Sequence, residues 1–196
     1  KDFNSQTKKF DAVSRCSSEG YDCEKMSIEK LKHFISKEAF NIDGLGKKVI
    51  EKFWEIKFIK LPQDIFTLDY KKIENLDGWG KLSVSNLKYS IENSKTITLD
   101  KFIYSLGIRH IGQENAKLLS ESIKNVENLK RINKNYSFNN LINIDGIGET
   151  QINSLRKFFS NQINLKIINE LTKFLRIKNL IKKNNGKLKN KSFLIT

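Results

Sequence analysis

The sequence predicts an all-α fold, an array of four helix-hairpin-helix units, and three observations carry that prediction. One glycine turn recurs four times: IDGLG at 42–46, LDGWG at 76–80, IRHIG at 108–112 and IDGIG at 144–148. The closing glycines lie 34, 32 and 36 residues apart, a near-constant period that marks an array of like supersecondary units. Four positions after each closing glycine stands an apolar residue, Ile50, Val84, Ala116 or Ile152, one helical turn onward on the face that packs inward. The stretches flanking the turns carry apolar residues at helical spacing.

The elements follow in order. Residues 1–24 are polar and short on period, a loop or a small strand-containing knuckle. Between 26 and 40, Ile28, Leu31, Phe34 and Ile35 fall at the spacing of an amphipathic helix. The first hairpin comes next, then a helix through about Ile56 with Val49, Ile50, Phe53 and Trp54 inward. Pro62, the only proline, breaks the chain between the first two units, and Ile65, Phe66 and Leu68 seal the junction beneath the second. Residues 82–91 make that unit's second helix, ending near Asn93. LDKFIYSL at 99–106 opens the third unit, with Phe102, Ile103 and Leu106 on one side, and 116–123 completes it. A short helix with Val126, Leu129 and Ile132 follows Asn125, residues 138–142 lead into the fourth hairpin, and 152–159 close it. Trp79 stands where the other hairpins carry Leu45, Ile111 and Ile147, so it reads as an apolar hairpin residue rather than a platform for a stacked base. From Lys166 to Lys191 nine basic residues stand against one acid, Glu170; this stretch reads as a helix to about Ile181 and then a polar linker. LKNKSFLIT at 188–196 is a β-like run without a partner strand in the sequence.

The repeated turn has a chemical use. Glycine permits positive φ and leaves no Cβ in the way, so successive amides point outward together. The second helix adds its free N–H groups and the positive end of its dipole, a place that suits a phosphate oxygen. Gly44, Gly46, Gly78, Gly80, Gly112, Gly146 and Gly148 are the residues of close backbone approach, and Lys47, Lys48, Lys81 and Arg109 the cations beside them. The third turn continues Gln113-Glu114 and the fourth Glu149-Thr150, so these two hairpins are expected to grip phosphate less tightly. His110 replaces the first glycine of the third copy and reads either as a hydrogen-bonded structural residue or as a phosphate or groove contact. A single glycine turn between packed helices would need no ligand; four in register in a basic chain favour a binding array.

Composition agrees. Lys and Arg number 36 against 22 Asp and Glu, a formal charge of +14, which points to a polyanion, nucleic acid first. Part of the excess also fits an AT-rich coding sequence, since Lys, Asn and Ile are all abundant. The 196 residues can bury one good core or one array with small appendages. No apolar run approaches ~20 residues, so no membrane span is expected, and the polar residues 1–10 do not read as a signal peptide. Cys16 and Cys23 are too few for a disulfide framework and fit a reducing compartment. Six residues separate them, looser than an ordinary metal-binding pair. Spacing alone favours two free thiols over half a zinc site, with His33 a poor third ligand inside a helical stretch.

HFISKEAFNIDGLGKKVIEKF at 33–53, KFIYSLGIRHIGQENAKLL at 101–119 and the fourfold hairpin spacing resemble the carboxy-terminal half of a bacterial NAD-dependent DNA ligase. SRC at 14–16, Cys23 and KLKHFIS at 30–36 resemble the second half of that family's four-cysteine zinc finger, and GKLKNKSFLIT at 186–196 resembles the first strand of the BRCT module that ends those enzymes. The resemblance runs from about Ala12 to the last residue. It implies a partial zinc-finger-like segment at 1–26, a helix-hairpin-helix DNA-binding domain at 27–165, a basic helix and linker at 166–185 and the start of a BRCT module at 186–196. It makes Cys16 and Cys23 zinc ligands, with their partner cysteines expected upstream of Lys1. The family forms a covalent lysine–AMP adduct from NAD and, with Mg, seals nicks between a 3′-hydroxyl and a 5′-phosphate. Its nucleophilic lysine lies in a KxDG motif that does not occur in this sequence, so no catalytic residue is assigned. NAD and Mg are expected to bind outside this chain, which by itself is expected not to ligate. The implied partner is duplex DNA, nicked, held by its backbone across the minor groove without sequence reading. The implied setting is a monomeric, cytoplasmic, nucleoid-associated bacterial protein of replication and repair. Two rival readings remain open: a non-ligase helix-hairpin-helix module of excision repair or recombination, and a structural all-α scaffold whose hairpins contact protein.

Overall fold

The computed structural model describes residues 3–4, 9–10, 21, 23–135 and 138–179. Two short strands, β1 (Phe3–Asn4) and β2 (Lys9–Phe10), pair antiparallel. Helix α1 (Glu24–Phe34) carries Glu24 in its first turn and Lys32 and His33 in its last, each sign placed where the helix dipole favours it. Lys32 also bridges to Glu51 at 2.7 Å, which ties α1 to α2 (Lys47–Glu55). A 3-10 turn at Pro62–Thr67 begins with the proline at a first position where its missing N–H is no loss. The Asp64 carboxylate accepts the amides of Lys60 and Leu61 at 2.9 and 2.8 Å. Then come α3 (Tyr70–Glu74), α4 (Lys81–Ser94), a strand β3 (Thr96–Thr98), α5 (Leu99–Ser105) and α6 (Gln113–Ile123). Short helices α7 (Val126–Lys130), α8 (Ile132–Asn135) and α9 (Phe138–Ile142) lead to α10 (Glu149–Ser160), α11 (Gln162–Phe174) and a strand β4 (Arg176–Lys178).

The helical periods found their cores. Ile50, Val84, Ala116 and Ile152 are all buried, and each donates its amide to the closing glycine four residues before it at 2.9–3.1 Å. One apolar cluster runs through all four units, from Leu31 in α1 to Leu171 in α11. Phe34 stacks on Phe40 at 4.2 Å, and Phe66 of the 3-10 turn stacks on Phe174 of α11 at 6.1 Å, so the last helix folds back onto the middle of the array. His33 Nε2 donates to the Tyr104 carbonyl at 2.7 Å and its ring lies edge-on to that tyrosine, fastening α1 to α5.

One expected element is corrected. The helix read to about Ile181 stops at Phe174, and residues 176–178 form β4, parallel to β3 with Ile97 opposite Ile177. The Arg176 amide enters the pair by donating to the Lys95 carbonyl at 2.7 Å. Ile177 is half-buried between exposed Arg176 and Lys178, the alternation of a strand, but three residues are too few for that period to outweigh a helical one. The β-like run at 188–196 lies outside the described residues.

Two lysines hold backbone conformations that suit glycine. The end of α2 is a Schellman motif: the Lys57 amide donates to the Trp54 carbonyl at 3.1 Å and the Phe58 amide to the Phe53 carbonyl at 2.8 Å. Phe58 and Phe53 make the accompanying apolar contact, 5.8 Å between ring centroids. Lys57 therefore sits at φ 62°, where glycine is ordinarily found. Lys124 has φ 71° and ψ −39°, and the Asn125 amide donates across it to the Ile123 carbonyl at 2.9 Å, the rare positive-φ γ-turn, which is strained. Lys57→Gly and Lys124→Gly are each expected to raise unfolding stability by about 1 kcal/mol, read as a rise in the midpoint of chemical denaturation.

Candidate nucleic-acid interface

All four hairpins share one backbone. The amides of Leu45, Trp79, Ile111 and Ile147 donate to the carbonyls of Ile42, Leu76, Ile108 and Ile144 at 3.4, 3.0, 3.1 and 2.9 Å. The residue before each donor has positive φ: Gly44 at 89°, Gly78 at 81°, His110 at 62° and Gly146 at 89°. A type II turn demands that sign at its third position. Leu45, Ile111 and Ile147 are buried, and Trp79 is half-buried with its ring 5.6 Å from that of Phe53. The middle residue thus pins each turn to the core while the residues on either side, glycines except for His110, stay exposed.

The closing glycines are the helix N-caps. Three other helices are capped by side chains: Asp69 accepts the amides of Lys71 and Lys72, Asn125 that of Asn128, and Asn161 those of Ile163 and Asn164, whereas Cys23 before α1 and Thr98 before α5 make no such bond. At the hairpins Gly46, Gly80, Gly112 and Gly148 offer no side-chain cap and leave the first amides of α2, α4, α6 and α10 without one. Their φ values, −69°, −149°, −82° and −104°, are open to any residue. A Cβ on Gly46, Gly80 or Gly112 would meet no atom within 4 Å. Neither backbone strain nor packing within the protein calls for glycine at those three positions. Glycine keeps the surface over the open amides clear.

The seven glycines of the sequence reading therefore divide. Gly44 and Gly146 serve the fold: both have φ 89°, and a Cβ on them would lie 3.4 Å from Leu87 of α4 and 3.1 Å from Leu118 of α6. The first turn thus packs on the second unit and the fourth on the third. Gly78 needs its positive φ but has open space around it. Gly46, Gly80 and Gly112 face outward, and Gly148 lies near Gln151.

Sequence reasoning missed a difference between the caps. The Gly80 amide donates to Ser83 Oγ at 2.9 Å and the Gly148 amide to Gln151 Oε1 at 3.1 Å. In the third hairpin the corresponding residue, Asn115, instead donates Nδ2 to the His110 carbonyl at 3.1 Å, and the first has Val49, which cannot accept. The signal was present three residues after each closing glycine, where a side-chain acceptor can reach back to the cap. His110 is exposed and takes a left-handed conformation that three sibling turns give to glycine, with Asn115 bracing it.

The cations predicted for the site, Lys47, Lys48, Lys81 and Arg109, are all exposed at the tips. The first two tips adjoin across a groove of about 460 Å³ lined by Gly44, Val49, Gly78, Trp79, Ser83 and Leu87. Glu114 and Glu149 occupy the first turns of α6 and α10, where the dipole favours them and they oppose an incoming phosphate. Away from the tips, burial pushes the Tyr21 phenol up and pulls down the Lys30 ammonium, which lies 4.8 Å over that ring.

The expected metal ligands fall only partly within the described residues. Cys16 lies outside them, Cys23 is half-buried at the N-cap of α1, and His33 is engaged with Tyr104. Among the described residues no group of three or more His, Cys, Asp or Glu could hold an ion. No described helix is long and apolar enough to cross a membrane.

Four equivalent turns, each opening a helix at an uncapped glycine, define a helix-hairpin-helix protein, and a family model described as the helix-hairpin-helix motif matches residues 101–168. Sequence relatives make the comparison more particular: the chain is similar to a segment of proteins named DNA ligase. It is 59% identical over 197 residues to the DNA ligase of Pelagibacter ubique (strain HTCC1062), covering 100% of this chain and 29% of that protein. The DNA ligases of Wolbachia pipientis wMel and Rickettsia bellii (strain RML369-C) are 45% and 41% identical, each covering 85% of this chain and 26% of the relative. The chain spans less than a third of the length of these relatives.

The division of the glycines is testable without DNA. Gly46→Ser and Gly112→Ser supply a better N-cap in open space and should raise stability by a few tenths of a kcal/mol. Gly44→Ala and Gly146→Ala, at positive φ and against leucine, should lower it by about 1 kcal/mol or more. Equal losses in both pairs, measured by urea denaturation, would show that the cap glycines are structural too.

Proposed function

We propose that this chain is the duplex-holding part of an NAD-dependent DNA ligase, gripping nicked DNA by its backbone while catalysis proceeds on residues carried elsewhere. The observation that supports it best is the set of exposed closing glycines that start α2, α4, α6 and α10 with no side-chain cap, three of them with open space where a side chain would fit. Amide N–H groups and the positive dipole end attract an anion, and only a glycine surface lets a phosphate come close to them. Phosphates carry no base information, so contacts of this kind hold any sequence, as the sealing of nicks at arbitrary positions requires. In this reading the hairpins straddle the minor groove and bind its two strands. Lys47, Lys48, Lys81 and Arg109 add charge-assisted contacts, and His110 lies at the same rim. NAD and Mg would act outside these residues. Cys16 and Cys23 would contribute half of a zinc site whose other ligands lie upstream, and no step depends on it.

The relatives named DNA ligase weigh against a non-ligase repair module, and the outward-facing tips weigh against a scaffold. The scaffold reading gives no reason to keep glycine at caps where serine would stabilise the fold.

Binding to nicked and intact duplex across a salt series tests the proposal. Each phosphate neutralised contributes roughly 0.9 to the log–log salt slope. Lys47→Ala and Arg109→Ala should each weaken binding similarly on unrelated sequences and flatten the slope by roughly that amount. Gly46→Ser should weaken binding while stabilising the fold. A variant that changed sequence preference with the slope intact would refute the phosphate assignment.

A further inference from the structure

We infer that Leu82 is a non-ionic DNA contact, an apolar side chain that packs on the deoxyribose edges of the minor groove beside the second hairpin; this rests on the DNA-binding reading above. Leu82 is 76% exposed, more than any other large apolar residue among those described. It is the second residue of α4 and lies two positions after Gly80. Val84, two residues further on, is buried. The helical rotation of about 200° between them points Leu82 directly away from the core.

Its counterparts in the other units, two residues after the closing glycine, are Lys48, Glu114 and Thr150. Only the second hairpin places an apolar group there. It is also a hairpin whose cap amide is already bonded, to Ser83 Oγ, and so has less to offer a phosphate. The first hairpin, across the shared groove, has no such bond and carries Lys47 and Lys48. The pair divides the work unevenly: two lysines and an unbonded cap on the first tip, one lysine, Lys81, and an apolar side chain on the second. The outer strands of a duplex present phosphates, but the walls of its minor groove are sugar carbon atoms. An uncharged side chain flanking a phosphate cradle is suited to them. Tyr89, 71% exposed, shares this face of α4 but stands two turns, about 10.5 Å, further from the tip, beyond the cradle.

Burying a leucine releases no counterion, so its contribution is independent of salt. Binding of the whole chain to nicked duplex across a salt series reads this directly. Leu82→Ala should weaken binding about tenfold at every salt concentration with the slope unchanged. Leu82→Asn, similar in size but polar, should lose as much, Leu82→Met should stay within about twofold of the native chain, and Tyr89→Ala should bind as the native chain does. Thermal unfolding should show all four variants folded, because both side chains are exposed. Native affinity in Leu82→Ala or Leu82→Asn, a slope changed by roughly 0.9, or an equal loss in Tyr89→Ala would overturn the inference. If the native chain itself fails to bind duplex at low salt, the DNA reading fails and takes this one with it. If the native chain binds and the Leu82 variants match it, only this inference falls.

Discussion

The structure depends on one arrangement repeated four times: an apolar residue packed on the core between two exposed positions in a type II turn. Leu45, Trp79, Ile111 and Ile147 hold each tip against the core, and the positive φ before them turns the chain so that the next helix starts at the surface. Without the anchor the turn would be one of many conformers, and the open amides of α2, α4, α6 and α10 would have no fixed direction. Burial of the middle residue therefore does two things. It stabilises the unit by roughly 1.5–3 kcal/mol per large side chain, and it aims the polar groups on either side of it.

The rest of the fold keeps these four tips in register with one another. A plain array contacts only nearest neighbours and flexes along its length. Here α11 returns to the 3-10 turn through Phe174 and Phe66, β4 pairs with β3, and His33 joins α1 to α5. Each of these contacts links residues far apart in sequence and cross-braces the array. In the function proposed above the gain is geometric: a backbone-binding surface works when its cradles match the fixed spacing of phosphates, so relative placement would matter as much as the individual grip.

Much of this was legible in the sequence because the turn and the helix leave period signals. Four IDGLG-like segments at 32–36 residue spacing announce both the repeats and the surface they present, and the residues four positions later proved to be core. Two features were not legible, and a third was overlooked. The parallel pairing of 96–98 with 176–178 joins two three-residue strands across most of the domain, and neither is long enough to show alternation. The separation of Gly44 and Gly146 from Gly46, Gly80 and Gly112 depends on Leu87 and Leu118, neighbours that only the folded chain supplies. The occupied cap amides of Gly80 and Gly148 could have been inferred from Ser83 and Gln151, since position three of a helix is where a side chain can reach back.

Two kinds of residue choice set fold and surface against each other. Lys57, His110 and Lys124 sit where glycine would be more comfortable, while Gly46, Gly80 and Gly112 sit where serine or aspartate would cap better. At the caps the concession has a reading. A serine hydroxyl would satisfy the same amides that a phosphate oxygen needs, so the best cap for the isolated chain is a competitor of the ligand. Three helices that start away from the tips use Asp69, Asn125 and Asn161, while α1 and α5 start at Cys23 and Thr98 without a side-chain cap. What sets the tips apart is therefore not the missing side-chain cap alone but its combination with an exposed turn and, at Gly46, Gly80 and Gly112, open space where a side chain would fit.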